Sequence, residues 1–387
     1  MDLSLPRRVI LRALDAARSV ADAKAAMPVL KNVHLSASDS ALTVTASDLL
    51  LTYRATLPAS VKTPGSVCVP AGILRDVVAR MAEGEIRVTV EKSGVSVRGS
   101  GARTATKILM TDGADYASVP LASETPSLQR RTVPANALAD VRRLTRYAQS
   151  GDNTRPHLEA TLIELCSDSV RAVATDGHRL SMASRAIPKT SGYPVGQSVA
   201  KLLIPARSLT RMALPESGDL IIEHGSAQRP LWITHAMDGA PDATVTWCSK
   251  LVDAAFPSYE QVVPQSWSGH VECPRADLLD ALSACASVAQ ERTSGVRMRP
   301  RDTALVLDSE NPDAGEISDR VDAICTGTLP KVLSVNGRYL SEVLSALTGD
   351  RVTLRMSGSL DPLMVVCAAE GERFSSVIMG MRTGEEG

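Results

Sequence analysis

Aromatic side chains are scarce in this chain. Two Phe, three Trp and six Tyr make up 3% of its 387 residues, so a core has to be assembled from Leu, Val, Ile, Ala and Met. Long apolar runs are missing as well: no stretch reaches the roughly 18 apolar residues that would nominate a membrane span. The seven cysteines are scattered, with no Cys-x-x-Cys and no His at zinc-ligand spacing, which excludes the common zinc frameworks and fits reduced thiols. A surplus of charge of either sign is also absent. The formal net charge is −1, so attraction to a polyanion has to come from where the basic residues sit. Residues 1–8 lack the basic-then-apolar layout of a signal peptide, and the expectation is a cytoplasmic protein with no membrane partner. Gly-x-Ser-x-Gly, His-Glu-x-x-His and phosphate-loop patterns are all missing. Neither a metal nor an organic cofactor is expected.

What the chain has instead is internal repetition. Residues 69–78 (Val-Pro-Ala-Gly-Ile-Leu-Arg-Asp-Val-Val), 204–213 (Ile-Pro-Ala-Arg-Ser-Leu-Thr-Arg-Met-Ala) and 335–344 (Val-Asn-Gly-Arg-Tyr-Leu-Ser-Glu-Val-Leu) align with one another. Each opens a short helix, with Pro or Asn suited to the first turn or the N-cap. An acidic or glycine-containing turn follows, then alternating residues at 83–90, 216–223 and 349–356, the period-two pattern of half-buried strands. A second helix recurs near a proline at 5–20, 133–148 and 273–289, with apolar spacing such as Val9, Ala13, Ala16 and Val20. The copies lie about 130 to 140 residues apart, a domain's length and not a solenoid unit's. The pattern reads as three copies of one α+β domain, each with two helices and several strands. The boundaries are set at 1–125, 126–258 and 259–387, where Pro and polar residues interrupt the patterns.

The helices of the repeats are rich in arginine: Arg7, Arg8, Arg12 and Arg18 with Lys24, then Arg75 and Arg80, Arg142, Arg143 and Arg146, Arg207 and Arg211, and finally Arg275 and Arg338. Acids collect in turns and between 302 and 322. Two readings stand: ordinary solvated helix faces, or one face that meets phosphate without reading sequence. Glu342 offsets Arg338 in the last helix.

The string Thr175-Asp176-Gly177-His178-Arg179-Leu180-Ser181 stands out. Asp176-Gly177 reads as a tight turn after a strand at 170–175, with His178 and Arg179 beginning the next strand. It is a structural or binding loop or, in a hydrolase alternative, a place where Asp176 orients His178 as a general base. That alternative lacks a nucleophile or metal, and residues two apart on a turn rarely reach Asp–His catalytic geometry.

The string closely resembles the signature of the bacterial sliding clamp family, the β subunit of the replicative DNA polymerase. Further segments resemble the same family. Residues 27–33 (Met-Pro-Val-Leu-Lys-Asn-Val) are similar to its first strand entry. Residues 249–264, with Phe256-Pro257-Ser258-Tyr259 and Val262-Val263-Pro264, are similar to the joint between its second and third domains. Residues 335–340 resemble its last helix, and Met379-Gly380-Met381-Arg382 its tail. The resemblance covers essentially the whole chain, in order. It implies three DNA-clamp domains per chain, each two helices packed on antiparallel sheets, joined head-to-tail into a homodimeric six-domain ring. It implies a processivity factor with no catalysis of its own. The implied partners are double-stranded DNA held without regard to sequence, the polymerase III catalytic subunit, clamp-loader subunits and other clamp-binding repair proteins.

On that resemblance Lys24, Arg75, Arg80, Arg142, Arg146, Arg207, Arg211, Arg275 and Arg338 would face DNA. The family's peptide pocket, carried over position by position, comprises Arg155, Leu158, Thr175, Gly177, His178, Arg179, Leu180, Pro257, Val262, Tyr339, Leu360, Met379, Met381 and Arg382. Leu, Val and Met there form an adaptable apolar slot, and His178 and Arg179 supply polar edges. Arg98, Arg103, Thr106, Lys107, Ser287, Val288, Asp308 and Glu310 fall at the dimer edge.

The chain also departs from the family's pattern. The family tail is Met-Pro-x-Arg-Leu, whereas Gly380 and Thr383 stand here, so a looser turn and altered or weaker peptides are expected. Gln261 replaces a residue that is commonly basic, and Gly72 another. Thr106 and Ser287 replace large apolar residues of the dimer edge, leaving Arg98, Arg103 and Lys107 opposite Asp308, Glu310, Asp313 and Glu316. Rim pairs steer more than they stabilise, so a ring weaker than is typical is expected. An accessory clamp that serves a specialised polymerase, or that replaces an inhibited main clamp, is the alternative.

Overall fold

The computed structural model describes the chain except for residues 22–24, 26, 93, 103–104, 114–115, 117–121, 126–127, 190–193, 226–229, 291–293, 371–372 and 383–387. Among the described residues there are seven α-helices: α1 Arg7–Val20, α2 Ala71–Ala79, α3 Ala135–Thr145, α4 Pro156–Glu159, α5 Ala206–Arg211, α6 Arg275–Ala286 and α7 Gly337–Ala346. None is long and apolar enough to cross a membrane. Helical periodicity explains α1. Val9, Ile10, Ala13, Leu14, Ala17 and Val20 are buried along one stripe, while Arg8, Arg12 and Arg18 are exposed. Proline caps α1, α2 and α6 (Pro6, Pro70 and Pro274), its fixed φ preset for a helix entrance. In α7 the cap is Asn336, whose Oδ1 accepts from Tyr339 N at 3.1 Å.

One backbone bond recurs in every repeat. The first residue of the first helix donates its N–H to a carbonyl in the turn after the second: Arg7 to Gly84 O at 2.8 Å, Ala135 to Gly218 O at 2.9 Å, Arg275 to Asp350 O at 2.8 Å. The arginine at that position in the first and third repeats also caps the end of the second helix. Arg7 Nε donates to Val78 O at 3.0 Å. Arg275 Nε donates to Gly349 O at 2.7 Å and Nη1 to Leu344 O at 3.3 Å.

The strands form two compact units, and every pairing is antiparallel. The first unit comprises residues 1–136 and 207–253. It holds a five-stranded sheet in the order Ser60–Thr63, Asp2–Pro6, Glu85–Glu91, Gly94–Gly99, Thr106–Ile108. Its second sheet has nine strands: Thr111–Asp112, Gly65–Pro70, Asn32–Ser38, Ala41–Ser47, Leu51–Pro58, Ala240–Ser249, Leu231–Met237, Asp219–His224, Gln129–Pro134. The second unit comprises residues 137–206 and 254–387. Its nine-stranded sheet runs Ser198–Pro205, Ala160–Cys166, Ser169–Thr175, Arg179–Ala186, Phe374–Ile378, Leu363–Val366, Arg351–Met356, Gly269–Pro274, Ile324–Gly327. Its four-stranded sheet runs Gly315–Asp322, Ala304–Asn311, Gly295–Arg301, Leu333–Asn336.

The middle repeat is thus divided, because strands pair across repeat boundaries. Leu51–Pro58 pairs with Ala240–Ser249 (Tyr53 opposite Trp247), and Arg179–Ala186 pairs with Phe374–Ile378 (Arg179 opposite Ile378). Each long sheet therefore joins halves of two repeats and hides what would be open edges. The few aromatics are spent at such a joint: the Tyr53 and Trp247 rings lie 4.8 Å apart, both fully buried. Trp232 and Phe374 are fully buried as well, and most of the remaining core is aliphatic.

Candidate functional site

The joint in the second unit is built on the loop from Thr175 to Arg179. The Asp176 side chain closes it. Oδ1 accepts from His178 N at 2.9 Å and Arg179 N at 3.0 Å, and Oδ2 accepts from Arg179 Nε at 3.1 Å. Thr175 Oγ1 donates to Arg179 O at 2.7 Å and accepts from Gly177 N at 3.2 Å. Gly177 has φ +93°, a left-handed conformation that glycine adopts freely. The Asp176–His178 dyad of the hydrolase alternative is not formed: both carboxylate oxygens are taken by backbone N–H groups and Arg179, and the His178 side chain is exposed.

The chain's tail returns to this loop. Met379 N donates to His178 O at 2.9 Å, and Met381 N to Ser334 O at 2.8 Å. Between them, a Cβ on Gly380 would meet the carbonyl oxygens of Leu360 and Asp361 at 3.0 Å. The turn at Gly380 is thus packed closely against two backbone carbonyls. Arg155 reaches the same loop, its Nη1 4.0 Å from where a Gly177 Cβ would stand. Arg155 Nε donates to Asp152 Oδ2 at 2.8 Å. Hydrogen bonds from Thr154, side chain first, and from Arg155 hold the Asp152 carboxyl down at about 2.

Three of the expected groove residues are exposed large apolar side chains: Val262 at 43%, Leu360 at 44% and Met379 at 41%. Pro257 and Arg382 are exposed, and Tyr339 and Met381 half-buried. Leu158 and Leu180 are instead buried core residues, and Thr175 is buried with its hydroxyl spent on the turn. Arg179 is not a polar edge. Its side chain is 7% exposed and bonded to Asp176 and Glu342, and its guanidinium carbon lies 4.2 Å from the Tyr339 ring centroid and 5.7 Å from that of Tyr147. A cation can be buried there because two carboxylates and two π faces replace its water.

Pro257 and Val262 lie on the strip that follows, anchored by Tyr259. Its hydroxyl donates to Glu164 Oε2 at 2.9 Å and accepts from Arg171 Nη1 at 3.2 Å. Burial pushes the Tyr259 phenol up, so it stays a donor. Glu164, Tyr147 and Asp152 carried no sequence signal, and Glu342 stood out only as offsetting Arg338. Tyr259 was visible only as part of the Phe-Pro-Ser-Tyr string.

The basic helices are less free than their sequence implies. Arg75 is tied to Asp15 at 2.7 Å and Asp76 at 3.3 Å. Arg211 and Arg207 both reach Asp48, at 3.0 and 3.4 Å, and Arg338 reaches Glu342 at 3.0 Å. Arg275 is corrected outright, since its donors cap α7. Arg142 is half-buried, and burial lowers its pKa, with Arg146 nearby adding to the effect. Arg80 and Arg146 are exposed and make no ion pair among the described residues. A Cβ on Gly72 would meet open space. Lys24 lies outside the described residues.

At the expected dimer edge of the first unit, Thr106–Ile108 is the last strand of its sheet, with Thr106 and Lys107 exposed and Lys107 paired to Glu91 at 3.1 Å. Arg98 is exposed on the neighbouring strand, and Arg103 lies outside the described residues. Leu109, 80% exposed beside that strand, escaped the sequence reading. In the second unit Ser287 is exposed and Val288 half-buried after α6. Asp308 and Glu310 lie on an inner strand, bonded to Arg299 at 2.7 Å and Arg297 at 3.0 Å, next to the outer strand Gly315–Asp322. Thr383 lies outside the described residues.

A thrice-repeated lock of two helices on shared antiparallel sheets, with the second joint closed by a signature loop and a returning tail, defines the three-repeat DNA-clamp class. Comparison with known proteins carries this further. Models of the DNA polymerase III beta subunit match in order: its N-terminal domain at residues 1–120, its central domain at 132–258 and its C-terminal domain at 260–382. The beta sliding clamp of Escherichia coli strain K12 is 26% identical over 389 residues, covering 99% of this chain and 100% of the relative. That of Pseudomonas aeruginosa strain PAO1 is 27% identical over 390 residues, with the same coverage. A crystal structure of the DNA polymerase III subunit beta from Pseudomonas aeruginosa matches at a TM-score of 0.87 and 26% identity, over 99% of this chain and 100% of that one. The chain belongs to the DNA polymerase III beta subunit family, as a divergent member, and its function is that of a DNA polymerase sliding clamp.

Proposed function

We propose that two copies close head-to-tail into a ring around duplex DNA, with domains at 1–125, 126–258 and 259–387, and work in the cytoplasm at the nucleoid. The ring does no chemistry of its own. It tethers a polymerase at the primer end and so raises its effective concentration. Short peptides of the polymerase III catalytic subunit, of clamp-loader subunits and of repair proteins dock in the groove beside Met379. One observation carries the docking reading: Leu360 and Met379 stay exposed beside a loop whose carboxylate and threonine hydroxyl are already satisfied, and Val262 stays exposed on the strip held by Tyr259. Such a surface gains by covering apolar area and leaves no polar group stranded. Thr106 and Ser287 at the edges favour a ring that opens readily.

The test is retention on primed circular DNA after loading with a clamp loader and ATP, followed by linearisation. A tethered ring stays on circles and runs off linear ends, and its dwell time on circles reports how tightly the edge closes. Protein that is never retained with a competent loader overturns the reading. The altered tail, Met379-Gly380-Met381-Arg382, favours one second reading, an accessory clamp for a specialised polymerase or one that replaces an inhibited main clamp. Pull-down with replicative and repair polymerase tails decides between the two.

A further inference from the structure

The joint of the second unit has a counterpart within the first. Asp48 Oδ1 accepts from Leu50 N at 3.0 Å and Leu51 N at 2.7 Å, as Asp176 does from His178 and Arg179. Ser47 Oγ accepts from Leu49 N at 3.2 Å, as Thr175 does from Gly177. Lys250 N donates to Leu50 O at 2.9 Å, as Met379 does to His178 at the same length. The one-turn 3-10 helix Pro28–Lys31 follows Met27, as α4 follows Arg155. A charge exchange keeps the lock closed. Leu51 replaces Arg179 and Arg211 replaces Glu342, so Arg211 Nη1 bonds Asp48 Oδ2 directly at 3.0 Å.

Two positions differ in a way that does not serve the fold. Leu49 takes the place of Gly177 and keeps the left-handed backbone, φ +71°, which strains a residue with a side chain. Its side chain is nevertheless 46% exposed, and Met27, in the place of Arg155, is 49% exposed. A strained residue that holds apolar surface in water points to a ligand. The rim carries an exposed cation, Lys250, while Arg207 is already paired with Asp48 at 3.4 Å.

We propose that this joint is a second docking site, which takes a short extended peptide with apolar anchors on Met27 and Leu49 and a carboxylate toward Lys250. The proposal rests on the docking reading of the Met379 groove, whose architecture it shares. The test is methyl NMR of the full chain labelled at methionine, where Met27 reports one site and Met379 the other. The probes are acetyl-Leu-Glu-Leu-Phe-amide and the same peptide with Lys for Glu. The acidic probe is expected to shift both methyls, and the basic probe to shift Met27 at least fivefold less. Leu49→Gly, which installs the residue found at the sister position, should keep the fold. It should weaken the Met27 response at least fivefold and leave Met379 unchanged. Met379 shifting to saturation with Met27 still overturns the second site alone. Silence at both overturns it together with the docking reading. A Met27 response that survives Leu49→Gly, or that the basic probe matches, overturns the assigned anchor and charge.

Discussion

Glu164 is a carboxylate with 2% of its side chain exposed, held by Arg171 and Lys201 at 3.1 Å each and by Tyr259 at 2.9 Å. A buried charge is tolerated only when its lone pairs are taken, and here they are taken by groups that fasten the Pro257–Val262 strip to the strand Ala160–Cys166. Tyr259→Phe deletes one hydrogen bond to a charged acceptor, worth about 1.5–3 kcal/mol. It should lower the urea midpoint accordingly and weaken peptide docking at the Met379 groove, read by titration of a labelled peptide. An unchanged midpoint would mean that the strip is held without Glu164. None of this was legible beforehand: Glu164 and Tyr259 stand 95 residues apart, and a lone Glu in an apolar strand announces no partner. The loop at Asp176 was legible because its bonds are local. An Asp followed by Gly, with backbone donors two and three residues on, makes the turn from its own atoms.

Helices and strands were legible where their period is local. The stripe of α1 and the alternation at 85–91, 219–224 and 351–356 required only neighbours in sequence. Long-range ion pairing among the arginines was not, because periodicity gives a residue's face and says nothing about what stands opposite. Asp15 and Asp48 neutralise Arg75, Arg207 and Arg211 from other elements. The consequence is graded. Arg80→Ala and Arg146→Ala should each reduce the slope of log affinity against log salt for linear duplex by about one, as expected for a lost phosphate contact. Arg75→Ala should change it less. Arg275→Ala should leave the slope alone and lower the melting temperature, since its guanidinium caps α7. Fluorescence anisotropy over a salt series checks the first three, and equal slopes for Arg75→Ala and Arg80→Ala would show that the ion pairs open freely on DNA.

At the scale of the whole molecule, the pairing of strands across repeats was invisible in a sequence that reads as three copies, because register between distant strands is set by burial and not by local pattern. It has a consequence for acid stability. His34, His224 and His235 all lie on the nine-stranded sheet of the first unit. Burial lowers the pKa of each. Arg54 adds to the effect at His34 and Arg131 at His224, while the carbonyls of Gly225 and Ala236, with Asp238, oppose it at His224 and His235. His34 stacks on Tyr116 at 5.5 Å. At His224 and His235 the Nδ1 faces a carbonyl, at 3.4 and 2.7 Å, and the buried Nε2 has no partner among the described residues, so a second proton finds no acceptor there. The unfolded chain binds these protons near pH 6.5 and the fold resists them. Their contribution is therefore complete above pH 6.5 and is lost as the pH falls through the depressed values. The first unit should melt earlier as pH drops from 7 to 5. A double variant, His224→Gln with His235→Gln, should flatten that decline. Calorimetry across the range decides: a transition that holds steady to pH 5 and falls only below pH 4 would assign acid unfolding to carboxylates such as Asp2 and Glu370, whose pKa values are held down by Arg87 and by Arg143 with Thr348.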